Sequence, residues 1–305
     1  MNSDGFLKDL GPTAEKLMEK HLNMTKEWFP HEMVPWSIGR DFTPGEKWDE
    51  TEHALPEGVR SALFVNLLTE DNLPYYFNAL DVAFSRDGIW GEWARRWTAE
   101  EHRHSIVLRD YLTVTRMVDP VVLERARMDQ VSTGIIPEPV SPEDTVAYVA
   151  LQELATRVVH RNTGKMVDEP MGYAIMARIA ADENLHYIFY RDITQVSLDR
   201  DPNVTMEAIE RQVRSFAMPG TGIQGFAAHA MAIAKAGIYD FALHYEQVIK
   251  PVVLRSWKVE SLTGLDARGE RARERLMKFI SRLEIAARRV NERKEEITSG
   301  LIISH

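Results

Sequence analysis

The sequence contains no cysteine in its 305 residues. That excludes disulfide scaffolds, thiolate nucleophiles, iron–sulfur clusters and zinc ribbons, so any metal must be held by the nitrogen and oxygen donors of His, Asp and Glu. Positive charge is in deficit: 37 basic against 46 acidic residues give a formal charge of -9, which argues against nucleic acid as a partner of the whole surface. No stretch approaches the roughly 18 to 20 uncharged apolar residues of a membrane span. The N-terminus, MNSDGFLKDLGPTAEKLMEK, lacks the basic-then-apolar order of a secretory signal, and a cytoplasmic location is the expectation. Glycine and proline are sparse, at 17 and 14, and strand-like alternation is rare.

What is present is helical periodicity. Apolar residues recur at three- and four-residue spacing over roughly 12–28, 57–84, 88–116, 120–133, 142–167, 170–199, 204–216, 224–235, 240–258 and 266–297, so the fold is expected to be all-α. The segment 28–56 carries Trp28, Trp36 and Trp48 among prolines; it reads as an ordered irregular connection lying across the bundle, because a free linker would expose too much aromatic ring.

Carboxylates repeat through the four longest central helices. LLTEDNLPYY holds Glu70 and TAEEHRHSIV holds Glu101 and His104; ALQELATRVV holds Glu153 and AADENLHYIF holds Glu183 and His186. Each half is a helix with one glutamate among apolar residues, then a helix with Glu-x-x-His. The separations are 31 residues from Glu70 to Glu101 and 30 from Glu153 to Glu183. Residues i and i+3 share a helix face, so each Glu-x-x-His offers an oxygen and a nitrogen to one point. A 30-residue spacing lets the chain run half a helix past the centre, turn and return, which levels two glutamates across an antiparallel pair. Two such hairpins make a four-helix bundle with four carboxylates and two imidazoles in its middle, the ligand set of ferritin-like di-iron carboxylate proteins.

The tetrapeptide alone would not carry this. Chance alone gives about 1.5 acid-x-x-His matches in a chain of this composition, and Glu50 with His53 is one such match, beside Pro56 and without a partner glutamate about 30 residues upstream. The matched hairpins carry the signal. Glu70 and Glu153 sit where apolar neighbours cover most of the helix circumference, and a buried glutamate is costly unless a cation or a proton neutralises it. Oxygen and imidazole donors fit iron or manganese. Pro74 cannot donate to the carbonyl of Glu70, so a distortion is expected at the first ligand.

These residues sit in longer matches. TEDNLP at 69–74, RWTAEEHRH at 96–104, QELAT at 152–156, HRNTGK at 160–165, ADENLH at 181–186 with FYRD following, and WKVESLTGL at 257–265 resemble the soluble acyl-[acyl-carrier-protein] desaturases, particularly an actinobacterial branch related to the plant stearoyl enzymes. The likeness runs from about residue 20 to about 290 and implies one ferritin-like desaturase domain over 1–305, a four-helix bundle with additional helices. The family commonly reads EENRH where this chain has EEHRH; His102 lies between the ligands and is expected to point elsewhere.

Carried over, the resemblance makes Glu70, Glu101, His104, Glu153, Glu183 and His186 the ligands of two irons, with Glu101 and Glu183 at bridging or second-iron positions. Thr156 matches a threonine near the oxygen-binding face, and it lies three residues after Glu153 on the same face; the alternative is a threonine bonded to the preceding turn. Asp182 and Trp36 match an electron route through a histidine ligand. Ala79 and Leu80 match positions lining the lower acyl channel, roughly 14 to 15 Å along the helix from Glu70. The implied reaction takes a saturated acyl chain on acyl carrier protein, O2 and two electrons from a donor such as ferredoxin, and gives a cis alkene and two waters. A homodimer is also implied.

Segment 266–294 holds ten basic and five acidic residues and is a candidate part of the surface that docks the acidic carrier, the alternative being a salt-bridged amphipathic helix. Two other di-iron classes compete. A radical-generating reductase subunit would want a tyrosine one turn beyond the first ligand histidine, where Leu108 stands. An iron-storage protein would not need the 110 or so residues after the fourth core helix. Finally, Gly220-x-Gly222-x-x-Gly225 has the dinucleotide pattern, but no strand precedes it.

Overall fold

A computed structural model describes residues 3–51, 55–136 and 140–300; His53 lies outside the described residues. Among them there is no strand. The helices are α1 (Ser3–Met24), α2 (Pro30–Met33), α3 (Glu57–Glu70), α4 (Leu73–Phe84), α5 (Gly88–Thr115), α6 (Pro120–Thr133), α7 (Pro142–Met166), α8 (Pro170–Arg200), α9 (Pro202–Arg214), α10 (Phe226–Lys235), α11 (Phe241–His244) and α12 (Ala267–Thr298). Four long units, α3 with α4, α5, α7 and α8, surround one core, and α7 and α8 pair most extensively. The all-α bundle with additional helices is as expected.

Local sequence sets the ends. Ser141, Asp119 and Glu169 cap α7, α6 and α8 by accepting from free backbone N–H groups, each before a proline at the first helical position. Gly164, in the HRNTGK segment, sits where a Cβ would lie 2.6 Å from Met176 Cβ, so it permits the close approach of α7 and α8.

Three boundaries depart from the periodicity. The expected helix 57–84 is two helices, interrupted at Asp71 and Asn72 directly after Glu70. Pro74 removes the bond to the Glu70 carbonyl, and α6 fixes the break: Arg127 pairs with Asp71, and Gln130 donates to Asn72 Oδ1 at 2.9 Å. α1 begins at Ser3 rather than near 12, because Phe6 and Leu10 are fully buried and that packing outweighs the interruption at Pro12. The run 240–258 is one turn of α-helix and then a π-helical stretch, Tyr245–Ser256, around Pro251. The glycine pattern at 220–225 is a 3-10 turn, Pro219–Gly222, followed by Gly225 at φ +76°, with no strand before it among the described residues.

Candidate metal centre

Glu70 ends α3, Glu101 and His104 come from mid-α5, Glu153 from α7, and Glu183 and His186 from α8; all six are buried. They form two overlapping groups whose donor atoms lie within 4.8 Å of one another: Glu70, Glu101, His104 and Glu183, and Glu101, Glu153, Glu183 and His186. The two shared carboxylates split between the halves. Glu101 presents Oε2 to His104 Nδ1 at 3.3 Å and Oε1 to His186 Nδ1 at 2.7 Å. Glu183 faces the same two nitrogens with Oε1 and Oε2, at 3.9 and 3.8 Å.

His104 Nδ1, His186 Nδ1, Glu101 Oε1 and Glu183 Oε2 are buried without a hydrogen-bond partner. Four orphaned donor atoms of one cluster are compatible with a bound cation. Two divalent ions against four carboxylates give a nearly neutral core, and the nitrogen and oxygen set suits iron or manganese. Without metal, protons take up part of the charge. Burial, with the charges of Glu101 and Glu153, pushes Glu183 well above the carboxylate range. Burial opposes charging of His104 and His186, but the Glu101 carboxylate outweighs it and raises both. Burial likewise opposes ionisation of Glu70, yet the neighbouring imidazoles of His104 and His160 outweigh it and hold Glu70 below the usual carboxylate range.

A second set of side chains stands behind the imidazoles. His104 Nε2 lies 3.4 Å from Asp182 Oδ2, which also accepts from Trp28 Nε1 at 2.8 Å; Arg178 holds the other oxygen. The Trp28 ring stacks 12° from parallel on His104. Across the bundle, His186 Nε2 donates to Glu100 Oε2 at 2.9 Å, and His21 Nε2 donates to the same oxygen at 2.9 Å. A carboxylate only accepts, so both imidazoles carry a proton on Nε2, which leaves Nδ1 of His186, facing the cluster, as the atom that would ligate a metal.

Trp36, expected on the electron route with Asp182, does not contact Asp182. It is 51% exposed and donates to the His31 carbonyl at 2.8 Å, and Trp28 occupies the place against Asp182. Both tryptophans fall in a segment without periodicity, so spacing could not choose between them. Glu100, His21 and His160 were also missed. His160, two turns after Glu153 on the same face, reaches Glu70 Oε1 with Nε2 at 3.1 Å. That i+7 spacing was a usable signal. His102 is exposed and belongs to neither donor group; it lines a depression between α4, α5 and α6 that Glu70 also borders.

Thr156 borders a cavity of about 660 Å3 that runs from Asn66, Thr69 and His160 to Tyr239, Phe241 and Lys294. Its walls are almost wholly apolar. The Thr156 hydroxyl donates back to Gln152 O or Glu153 O, at 3.2 and 3.1 Å, so it faces the cavity as an acceptor. Residues before Glu70 on α3 line this cavity with residues after Glu153 on α7. Ala79 and Leu80, beyond Glu70, instead meet Tyr148, Val149 and Gln152, before Glu153, around a cavity of about 20 Å3. The two cavities therefore flank the cluster along one antiparallel groove, wide on one side and nearly shut on the other.

The family model described as fatty acid desaturase matches residues 3–302. The acyl-[acyl-carrier-protein] desaturase DesA1 of Mycobacterium tuberculosis is 42% identical over 291 residues, 92% of this chain and 86% of that protein. The chloroplastic stearoyl-[acyl-carrier-protein] 9-desaturase 6 of Arabidopsis thaliana is 32% identical, over 84% of this chain and 68% of its own. The X-ray structure of acyl-ACP desaturase DesA2 from Mycobacterium tuberculosis superposes with a TM-score of 0.72 at 29% identity, covering 85% of this chain and 97% of that one.

Proposed function

Because the chain belongs to the fatty acid desaturase family, we propose that it is an acyl-[acyl-carrier-protein] desaturase holding two irons, which converts a saturated acyl chain, O2, two electrons and two protons into a cis alkene and two waters. One observation carries this reading: four carboxylates and two imidazole Nδ1 atoms converge in a buried cluster, and His160, which reaches Glu70, also lines the large apolar cavity.

Glu70 and His104 would hold one iron and Glu153 and His186 the other, with Glu101 and Glu183, which belong to both donor groups, available to either. The irons, when bound, supply the oxidising chemistry with O2. The rest is the work of the chain. Asp182 and Glu100 fix the imidazole tautomers through Nε2. The large cavity excludes water and aligns the acyl chain, and Thr156 offers its oxygen lone pairs beside the cluster. Electrons from a ferredoxin-type donor enter through Trp28, Asp182 and His104. A homodimer in the cytoplasm, formed of one domain, completes the reading.

The small cavity beyond the cluster has room for about one water-sized group. A methyl end passing Ala79 and Leu80 must therefore displace Tyr148 or Ile136. Ala79→Phe is expected to shift preference further toward short chains with iron content unchanged.

The test is direct. Iron-loaded protein with a reducing system is given carrier-linked acyl chains of several lengths, and the alkene is located by mass spectrometry. Two irons per chain and a cis alkene are expected. Many irons per chain without alkene would overturn the reading in favour of storage.

A further inference from the structure

A hollow of about 490 Å3 lies between α7 and α8, bordered by Met24 and Lys26 where the chain leaves α1, and it shares no lining residue with the large cavity. Ala177, Ala180 and Ala181 give it small side chains along α8, and Lys26, Arg157, Arg161 and Arg178 give it four cations. No carboxylate is among its described lining residues. Arg178 is compensated by Asp182. The other three cations have no such acid among the described residues. Arg161 donates to the neutral Gln247 Oε1 at 2.8 Å, and its Nε is buried without an acceptor. Lys26 has no ion pair, and Arg157, although half-buried, has neither an ion pair nor a hydrogen bond.

Arg157 and Arg161 stand four residues apart on α7, where like charges repel. Burial, and then the Arg161 charge, lower the Arg157 pKa from the ordinary arginine value. A cation drawn out of water without an acid destabilises the fold, and here two stand side by side. On a chain of net charge -9, three surplus cations in one concave site mark a place that an anion completes. Guanidinium forks one helical turn apart suit phosphate, whose oxygens accept paired N–H bonds. We propose that this hollow binds a small phosphate-bearing anion, clamped by Arg157 and Arg161 with Lys26 and Arg178 at its rim. Its size suits a small molecule rather than a lone ion. The exposed ring of Tyr173 also borders it, and stacks a nucleoside base if the phosphate carries one.

Nothing in this site depends on the reaction at the metal centre, so binding is read without turnover. Iron-loaded protein is titrated with pyrophosphate and with ADP by calorimetry in 0.15 M salt, with circular dichroism and iron content checked before and after. The parent is expected to bind pyrophosphate with Kd below about 1 mM. Arg157→Gln/Arg161→Gln should raise that Kd at least tenfold, and the control of equal charge change, Lys16→Gln/Arg125→Gln, should move it less than twofold. Without anion the first variant should melt no lower than the parent, since one repulsion is gone; with pyrophosphate only the parent and the control should melt higher. ADP binding tighter than pyrophosphate, with the gain lost in Tyr173→Ala, identifies a nucleotide as the source; equal affinity identifies the phosphate group alone. Equal Kd values in the two double variants would overturn the proposal. So would a parent that binds neither probe. In that case slower reduction of Arg157→Gln/Arg161→Gln by an acidic protein donor would make the hollow a docking surface, and a dimer-to-monomer shift in sedimentation would make it a subunit contact.

Discussion

The two halves of the ligand cluster are alike where they face inward and unlike one shell further out. Each contributes one helix glutamate and one Glu-x-x-His, and each imidazole turns Nδ1 inward and Nε2 toward a carboxylate. Behind His104 that carboxylate is Asp182, from α8, and the array ends in the ring of Trp28, which Arg103 covers at 5.0 Å. Behind His186 it is Glu100, from α5, and the array ends in buried His21 on α1. Two metals at the centre of a bundle demand the same inner geometry from both hairpins. They leave open what orients each imidazole, and there one half gained a buried indole while the other gained a second buried imidazole.

Removing a ligand tests the inner likeness and has the largest effect. Glu153→Ala and His186→Ala, and equally Glu70→Ala and His104→Ala, are expected to lose iron while keeping the helical circular dichroism. Metal analysis is the check, and full occupancy in these variants would sink the assignment. Loss of a buried carboxylate also relieves repulsion, so the metal-free Glu153→Ala protein should melt no lower than the metal-free parent.

The outer difference predicts unequal responses. His21→Phe leaves Glu100 with one donor fewer and should weaken one iron about 10- to 100-fold, as loss of an outer partner does elsewhere. Trp28→Phe leaves Asp182 bonded to Arg178 and His104, so iron should stay. Its cost should appear in slower reduction by a protein donor, with dithionite reduction unchanged. Equal iron loss in both variants would erase the contrast.

A third prediction concerns pH. In the metal-free protein Glu183, His104 and His186 all have raised pKa values, so the folded state binds more protons than the unfolded chain. The stability from the histidines is fully present below about 6.5 and is lost as pH rises through their folded values; Glu183 acts in the same direction from about 4.3 upward. Melting temperature of the metal-free protein should therefore fall between pH 6 and 8.5, with less change once iron has displaced those protons. A flat profile for the metal-free form would contradict it.

The convergence of the six donor side chains was legible because each pair obeys a local rule: i, i+3 on one face and about 30 residues between hairpin partners. The break after Glu70 was legible from Pro74. His21 was not, since it meets Glu100 across 79 residues and nothing in α1 marks that face as facing a metal site. Glu100 looked like an ordinary charged neighbour of Glu101, although Arg96, one turn back, holds it. Trp28 and Trp36 differ only in where an irregular segment folds back, which depends on packing against α5 and α8 rather than on any period.

The smallest effect expected is at Thr156, beside the Glu153 half. Its hydroxyl proton is already engaged by the carbonyls of Gln152 and Glu153, and only its lone pairs face the cavity. Thr156→Val keeps the shape of the side chain and removes both the back-bond and those lone pairs. Iron content should not change, and stability should move by no more than about 1 kcal/mol, the net worth of one intrahelical side-chain bond. If the lone pairs help orient oxygen or pass a proton, alkene formed per O2 consumed should drop several-fold while O2 uptake continues. Coupling equal to that of the parent would assign Thr156 to helix packing alone, and the inner shell would then be symmetric in function as well as in ligands.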